Sequence, residues 1–151
     1  MSIFNIFKRK KTAKRGDFYK TTDSFLRGKE NVGKKRTVVV YDKRKDDGAL
    51  AVSKIYSKED KNPKNLIDDL TLTPKKHKSL KEESAIGTRV LWGAKSGKDF
   101  KPIYSSDMQK VNDKLTRSEK KKYIKNAGGK EEKHKQTLRT TAGKWKKHFK
   151  E

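Results

Sequence analysis

Apolar and polar positions along the chain fall into short alternating runs separated by highly charged loops. KRGDFYK (14–20) sets a Gly16-Asp17 turn ahead of an alternating stretch and predicts the start of a strand. A polar loop from Thr21 to Lys35 follows, punctuated by Gly28 and Gly33. RTVVVYD (36–42) is a run of β-formers and reads as a buried central strand. KRKDDG (43–48) ends in the turn pair Asp47-Gly48, which makes ALAVSKIYS (49–57) the returning strand of a hairpin. After the polar KEDKNPKN, alternation at Leu70 and Leu72 predicts a further strand over 65–73.

The segment PKKHKSLKEESAI changes character. Pro74 suits the first turn of a short helix capped by Thr73. GTRVLWG (87–93) is strand-like and bounded by glycines, and KSGKDF reads as a turn. Met108, Val111, Leu115, Tyr123 and Ile124 then recur at spacings near three and four. They predict one helix over 107–115, capped by Ser106, and another beginning at Thr116, where Glu119 completes a capping box. Five short strands with few, short helices imply a mainly β protein: a small antiparallel barrel with a C-terminal helix. Closing the sheet also disposes of its exposed edges.

Composition limits how much of the chain that body includes. Of 151 residues only 30% are hydrophobic and 40% are charged, with 42 Lys or Arg against 19 Asp or Glu and a net charge of +23. That apolar share is too small for the whole chain to form one packed core. Residues 1–15 hold six basic and no acidic residues, and 126–151 hold eight basic and three acidic. The organisation expected is therefore a basic N-terminal arm (1–13), a folded body (14–125) and a basic C-terminal tail (126–151), helical or disordered.

The same composition excludes several classes of chemistry. The absence of cysteine removes disulfides, a thiolate nucleophile and Cys-type zinc sites. No pair among His77, His134 and His148 has metal-ligand spacing. Asp46-Asp47 and Asp68-Asp69 are adjacent pairs, which point to opposite faces of a strand, so no two-metal site is expected. There is no phosphate-binding glycine loop and no G-x-S-x-G nucleophile motif. No metal or organic cofactor is expected.

No apolar run reaches the roughly 18 residues of a membrane span. The opening SIFNIFKRKK offers one apolar turn beside four cations, too little area for firm membrane anchoring. Its apolar residues precede the charges, the reverse of a secretory signal. A cytoplasmic protein facing polyanions is expected. Phe18, Tyr19, Phe25, Tyr41, Tyr56, Trp92, Tyr104 and Trp145 are interleaved with Lys and Arg, a composition suited to stacking on unpaired bases. Phe18, Tyr41 and Trp92 lie in predicted strands, where large aromatics more commonly pack the core.

The order KRGDFY, KKRTVVVYDK, GALAVSKIYS, continued by LTLTPKKHKSLKEESAIGTRVLWGAKSGKDF, resembles the MazF/PemK-like toxins over residues 14–125. Those proteins are endoribonucleases built on a small SH3-like barrel. The resemblance implies metal-independent cleavage of single-stranded RNA through a 2′,3′-cyclic phosphate, a homodimer, and an acidic antitoxin peptide as partner. It also implies that Arg36 is the active-site arginine. The family's proline after that arginine is Thr37 here. The family's second active-site residue, Thr or Ser, falls on Tyr56 if the frame is set by Ile55, with Ser57 one residue later. One residue along a strand reverses the face, so Ser57 points away from Arg36 unless a bulge re-aims it.

Arg36, Tyr56 and Ser57 are thus the catalytic candidates. Lys34, Lys35, Lys54, Lys58, His77 and Arg89, with Lys144, Trp145, Lys146 and Lys147 of the tail, are the candidate nucleic-acid contacts. A catalytically silent nucleic-acid-binding protein of a plasmid, phage or other mobile element, on RNA or DNA, is the alternative. A ribosome-associated basic protein has only composition behind it.

Overall fold

The computed structural model describes residues 13–22, 25–26, 35–44, 48–57, 66–91, 93–96 and 99–127. Among the described residues it is mainly β, with six antiparallel strands in one sheet and an 11-residue helix packed on it. Four strands fall where the alternation placed them: β1 (Asp17–Thr22), β2 (Lys35–Lys43), β3 (Leu50–Ser57) and β4 (Leu66–Leu72). They are followed by β5 (Ser84–Gly87), a small hairpin of β6 (Ala94–Ser96) and β7 (Asp99–Lys101), and β8 (Gln109–Lys114). A 3-10 turn covers Ser105–Asp107, and the helix α1 runs from Arg117 to Ala127.

The sheet order is β4-β5-β3-β2-β1-β8. Among the described residues β4 and β8 are its two ends, and no ladder closes one onto the other. β2 lies well inside the sheet, as its run of β-formers requires. Val38 and Val40 enter one buried cluster with Tyr19, Leu50, Val52, Ala94 and Ile103. Val39 and Tyr41 enter the other with Phe18, Ile55, Leu72, Ile86 and Leu115. Both faces of the strand are therefore dry, which explains why it lacks the polar alternation of a half-exposed strand. Along the first half of β3, ahead of its pairing with β5, the side away from β2 is taken up by two isolated bridges. The Leu50 amide donates to the Ile103 carbonyl at 2.6 Å, and Leu91 and Val52 exchange amide bonds at 2.7 and 3.0 Å.

α1 lies over the second of these clusters. Glu119, Tyr123 and Ala127 are buried at i, i+4 and i+8, one stripe of the helix. The expected capping box forms: the Thr116 amide donates to Glu119 Oε1 at 2.8 Å, and the Glu119 amide to Thr116 Oγ1 at 3.3 Å. Tyr123 meets Tyr41 edge to face, with ring centroids 5.6 Å apart, and its hydroxyl donates to Ser53 Oγ at 2.7 Å. Tyr123→Phe is expected to cost about 1–3 kcal/mol, because the buried Ser53 hydroxyl loses that partner. Denaturant unfolding measures it; an unchanged midpoint would mean that the bond contributes nothing.

Three sequence expectations need correction. The segment 107–115 is a 3-10 turn leading into strand β8, not a helix. GTRVLWG is not a regular strand: β5 ends at Gly87, and beyond it, among the described residues, Leu91 forms an isolated bridge to Val52 while Val90 is buried in the core. The helix expected after Thr73 is a single turn, in which the Thr73 carbonyl accepts the amides of Lys76 and His77 at 3.1 and 2.8 Å. The turn expected at KSGKDF is framed by the β6–β7 hairpin. Residues 1–12 and 128–151, which include most of the two basic arms, lie outside the described residues. No described helix is long and apolar enough to cross a membrane.

Candidate functional site

Register brings Arg36 and Tyr56 together. Val38 of β2 pairs with Lys54 of β3. Two residues further along each antiparallel strand stand Arg36 and Tyr56, which therefore share a face. The Arg36 guanidinium lies over the Tyr56 ring, 5.1 Å from its centroid. Both side chains are half-buried. A register shift does occur between β2 and β3, but it lies between Val40 and Asp42, at the far end from this pair. On the other flank Arg36 pairs with Thr21 of β1.

Ser57 takes the opposite face. Its hydroxyl donates to Glu82 Oε2 at 2.5 Å, and its backbone pairs with Ser84. Of the two residues competing for the second active-site position, only Tyr56 is brought to Arg36.

Beneath the Tyr56 ring is Gly87. A Cβ built there would stand 3.1 Å from Tyr56 Cε2 and 3.6 Å from the Lys54 carbonyl oxygen. The missing side chain gives the ring its resting place. Gly87→Ala is expected to displace the ring by a few tenths of an ångström and to cost about 1 kcal/mol, the low end for overpacking, since the ring edge is free to give. A double-mutant cycle with Tyr56→Leu tests this, with coupling as the expected result. Strict additivity would mean that the ring does not rest on Gly87.

The candidate contacts separate into distinct surroundings. Lys35 and Arg89 are exposed. Lys54, two residues before Tyr56 on the same face, is only 8% exposed. Lys34, Lys58, Lys144, Trp145, Lys146 and Lys147 lie outside the described residues, as does Trp92.

His77 is corrected. It was a candidate nucleic-acid contact, and it is instead 1% exposed. Its ring stacks on Phe18 at 5.2 Å. Nδ1 lies 2.8 Å from Asp113 Oδ1 and Nε2 lies 2.9 Å from Glu119 Oε1. Each ring nitrogen thus has a carboxyl oxygen within hydrogen-bond distance, so the imidazole is held from both sides.

Ser79 Oγ donates to the second Asp113 oxygen at 2.5 Å. Burial pushes the Asp113 carboxyl up, but the hydrogen bonds from Ser79 and His77, the charge of His77 and the Lys114 amide together hold it below the ordinary aspartate value. This cluster ties the β4–β5 connection to β8 and α1. The two carboxylates flank the ring from opposite sides, and no described group of three or more His, Asp or Glu side chains is placed to hold a metal ion.

No protein-family model matches the chain, and no curated protein matches it.

Proposed function

We propose that this protein is a metal-independent endoribonuclease of the MazF/PemK type, acting on single-stranded RNA at Arg36 and Tyr56. The observation that carries the reading is the pairing of these two side chains on one face of the sheet, with the guanidinium 5.1 Å from the ring centroid. The resemblance over residues 14–125 supplies the reaction class, and with it the SH3-like barrel, the homodimer and an acidic antitoxin peptide. A charge of +23 favours encounter with either polyanion.

In this reading the ribose 2′-oxygen attacks the adjacent phosphorus and its proton passes to water. Arg36 presents its planar fork to two phosphate oxygens as charge builds on the phosphorane. The Tyr56 hydroxyl gives a proton to the departing 5′-oxygen, leaving a 2′,3′-cyclic phosphate and a 5′-hydroxyl. Arg36 does not serve as the base, because a guanidinium keeps its proton at neutral pH.

The test is incubation of the purified protein with RNA of mixed sequence in the presence of a chelator, followed by end-group analysis. Cyclic phosphate ends that depend on Arg36 support the nuclease. RNA that is bound but left uncut favours the second reading, a catalytically silent module binding RNA or DNA on the same face. One observation favours that module: Ser57 is turned to Glu82 and His77 is enclosed, so neither is at hand to assist Tyr56.

A further inference from the structure

We infer a second phosphate-binding site, in the cleft between the turn before β1 and the outer strand β8, that takes the phosphodiester backbone of a nucleic acid. Neither Arg36 nor Tyr56 lines it, and it does not depend on cleavage there. The cleft has a volume of about 550 Å³ and is lined by Lys14, Asp17, Lys110, Asn112, Asp113 and Lys114. Residues 110, 112 and 114 follow one another at strand period two, a row of two ammonium groups and an amide along an edge strand.

The carboxylates of the cleft are turned inward and already engaged. Asp17 is 12% exposed; its Oδ2 accepts the Lys14 amide at 3.0 Å and lies 3.5 Å from Lys110 Nζ. Asp113 is 10% exposed, with one oxygen on His77 and the other on Ser79. Lys110, by contrast, is 51% exposed, and Lys14 and Lys114 are also exposed. Buried acids therefore hold the wall beneath three exposed lysines, of which Lys110 also lies 5.2 Å from the Tyr19 ring centroid.

Phosphate rather than membrane is the fit, because none of the lining residues is apolar and surface docking on lipid needs inserted apolar area. Phosphate contacts of this kind position a strand without reading its sequence. Gly16, at φ +94°, lets the turn approach α1, where Lys120 Cδ lies 3.3 Å from the place of a Cβ.

The experiment compares full-length wild type with the triple variant Lys14→Gln, Lys110→Gln, Lys114→Gln. The probe is an uncleavable 2′-deoxy single strand of mixed sequence, titrated over a range of salt. A control triple, Lys75→Gln, Lys81→Gln, Lys101→Gln, removes the same charge from exposed positions that do not line the cleft. The cleft variant is expected to lower affinity about tenfold or more beyond the control, and to reduce the slope of log affinity against log salt by about 2, at about 0.7 per phosphate contact. Replacing the same three lysines by arginine should restore both, since charge and phosphate donors return. Equal losses in the two Gln triples would overturn the site and leave only diffuse attraction. Tighter binding of a polyglutamate peptide than of the oligonucleotide, lost in the cleft variant alone, would also overturn it and make the cleft a protein-docking surface.

Discussion

Arg36→Lys is expected to slow RNA cleavage by about two to three orders of magnitude, the scale of a lost transition-state donor. Lysine keeps the positive charge but replaces a planar two-pronged donor by a single ammonium group. Binding to an uncleavable 2′-deoxy strand should hardly change, because one charge among 42 cations is a small part of the attraction. The split between rate and affinity marks an interaction made in the transition state. Tyr56→Phe keeps the ring that lies under the guanidinium and removes only the hydroxyl, so it should also lower the rate while leaving affinity in place. Ser57→Ala should leave the rate near wild type, because that hydroxyl is turned to Glu82. A large loss from Ser57→Ala together with none from Tyr56→Phe would reverse the assignment of the second position.

The pairing of Arg36 with Tyr56 was open to sequence reading because it needs only strand parity. Residues two apart share a face, so fixing Tyr56 toward Arg36 excludes Ser57 unless a bulge intervenes. The one register shift between these strands lies beyond Val40, too far along to re-aim either residue. β1 to β4 were similarly open, because Phe18, Val38 to Tyr41, Ile55 and Leu72 are apolar wherever they face the core.

β8 was hidden for the opposite reason. Its inward positions are Val111 and Asp113, with Leu115 just beyond the strand end, and an acid in the middle breaks the apolar period of two. What remains, Met108, Val111 and Leu115, imitates helical spacing. Asp113 is inward because His77 and Ser79 meet it there, a partnership spanning 36 and 34 residues that no local pattern reveals. His77 was hidden in turn by its lysine neighbours, which are exposed on either side of a buried ring. Gly87 left no signal for its role, since what matters there is the space its missing side chain gives to Tyr56.

That same buried cluster is where a single substitution should damage the fold most. His77→Ala removes the imidazole that stands between Asp113 and Glu119, whose side chains are 10% and 7% exposed, and that stacks on Phe18. Two carboxyl groups are left without that partner in a poorly solvated place, and α1 loses a tie at its first turn. Breaking one member of a buried ion cluster costs about 3–5 kcal/mol, and a similar loss is expected here by chemical denaturation near neutral pH. The pH dependence distinguishes charge from packing. Asp113 is held below its ordinary value in the folded wild type, so its contribution is complete above the unfolded value and is lost as pH falls through the folded one. Without His77 that contribution is reduced throughout. The difference between wild type and His77→Ala should therefore be widest near neutrality and narrow as the pH falls through the range in which aspartate protonates. A difference that stayed constant over that range would assign the whole effect to the lost ring and leave the ion cluster with no part in stability.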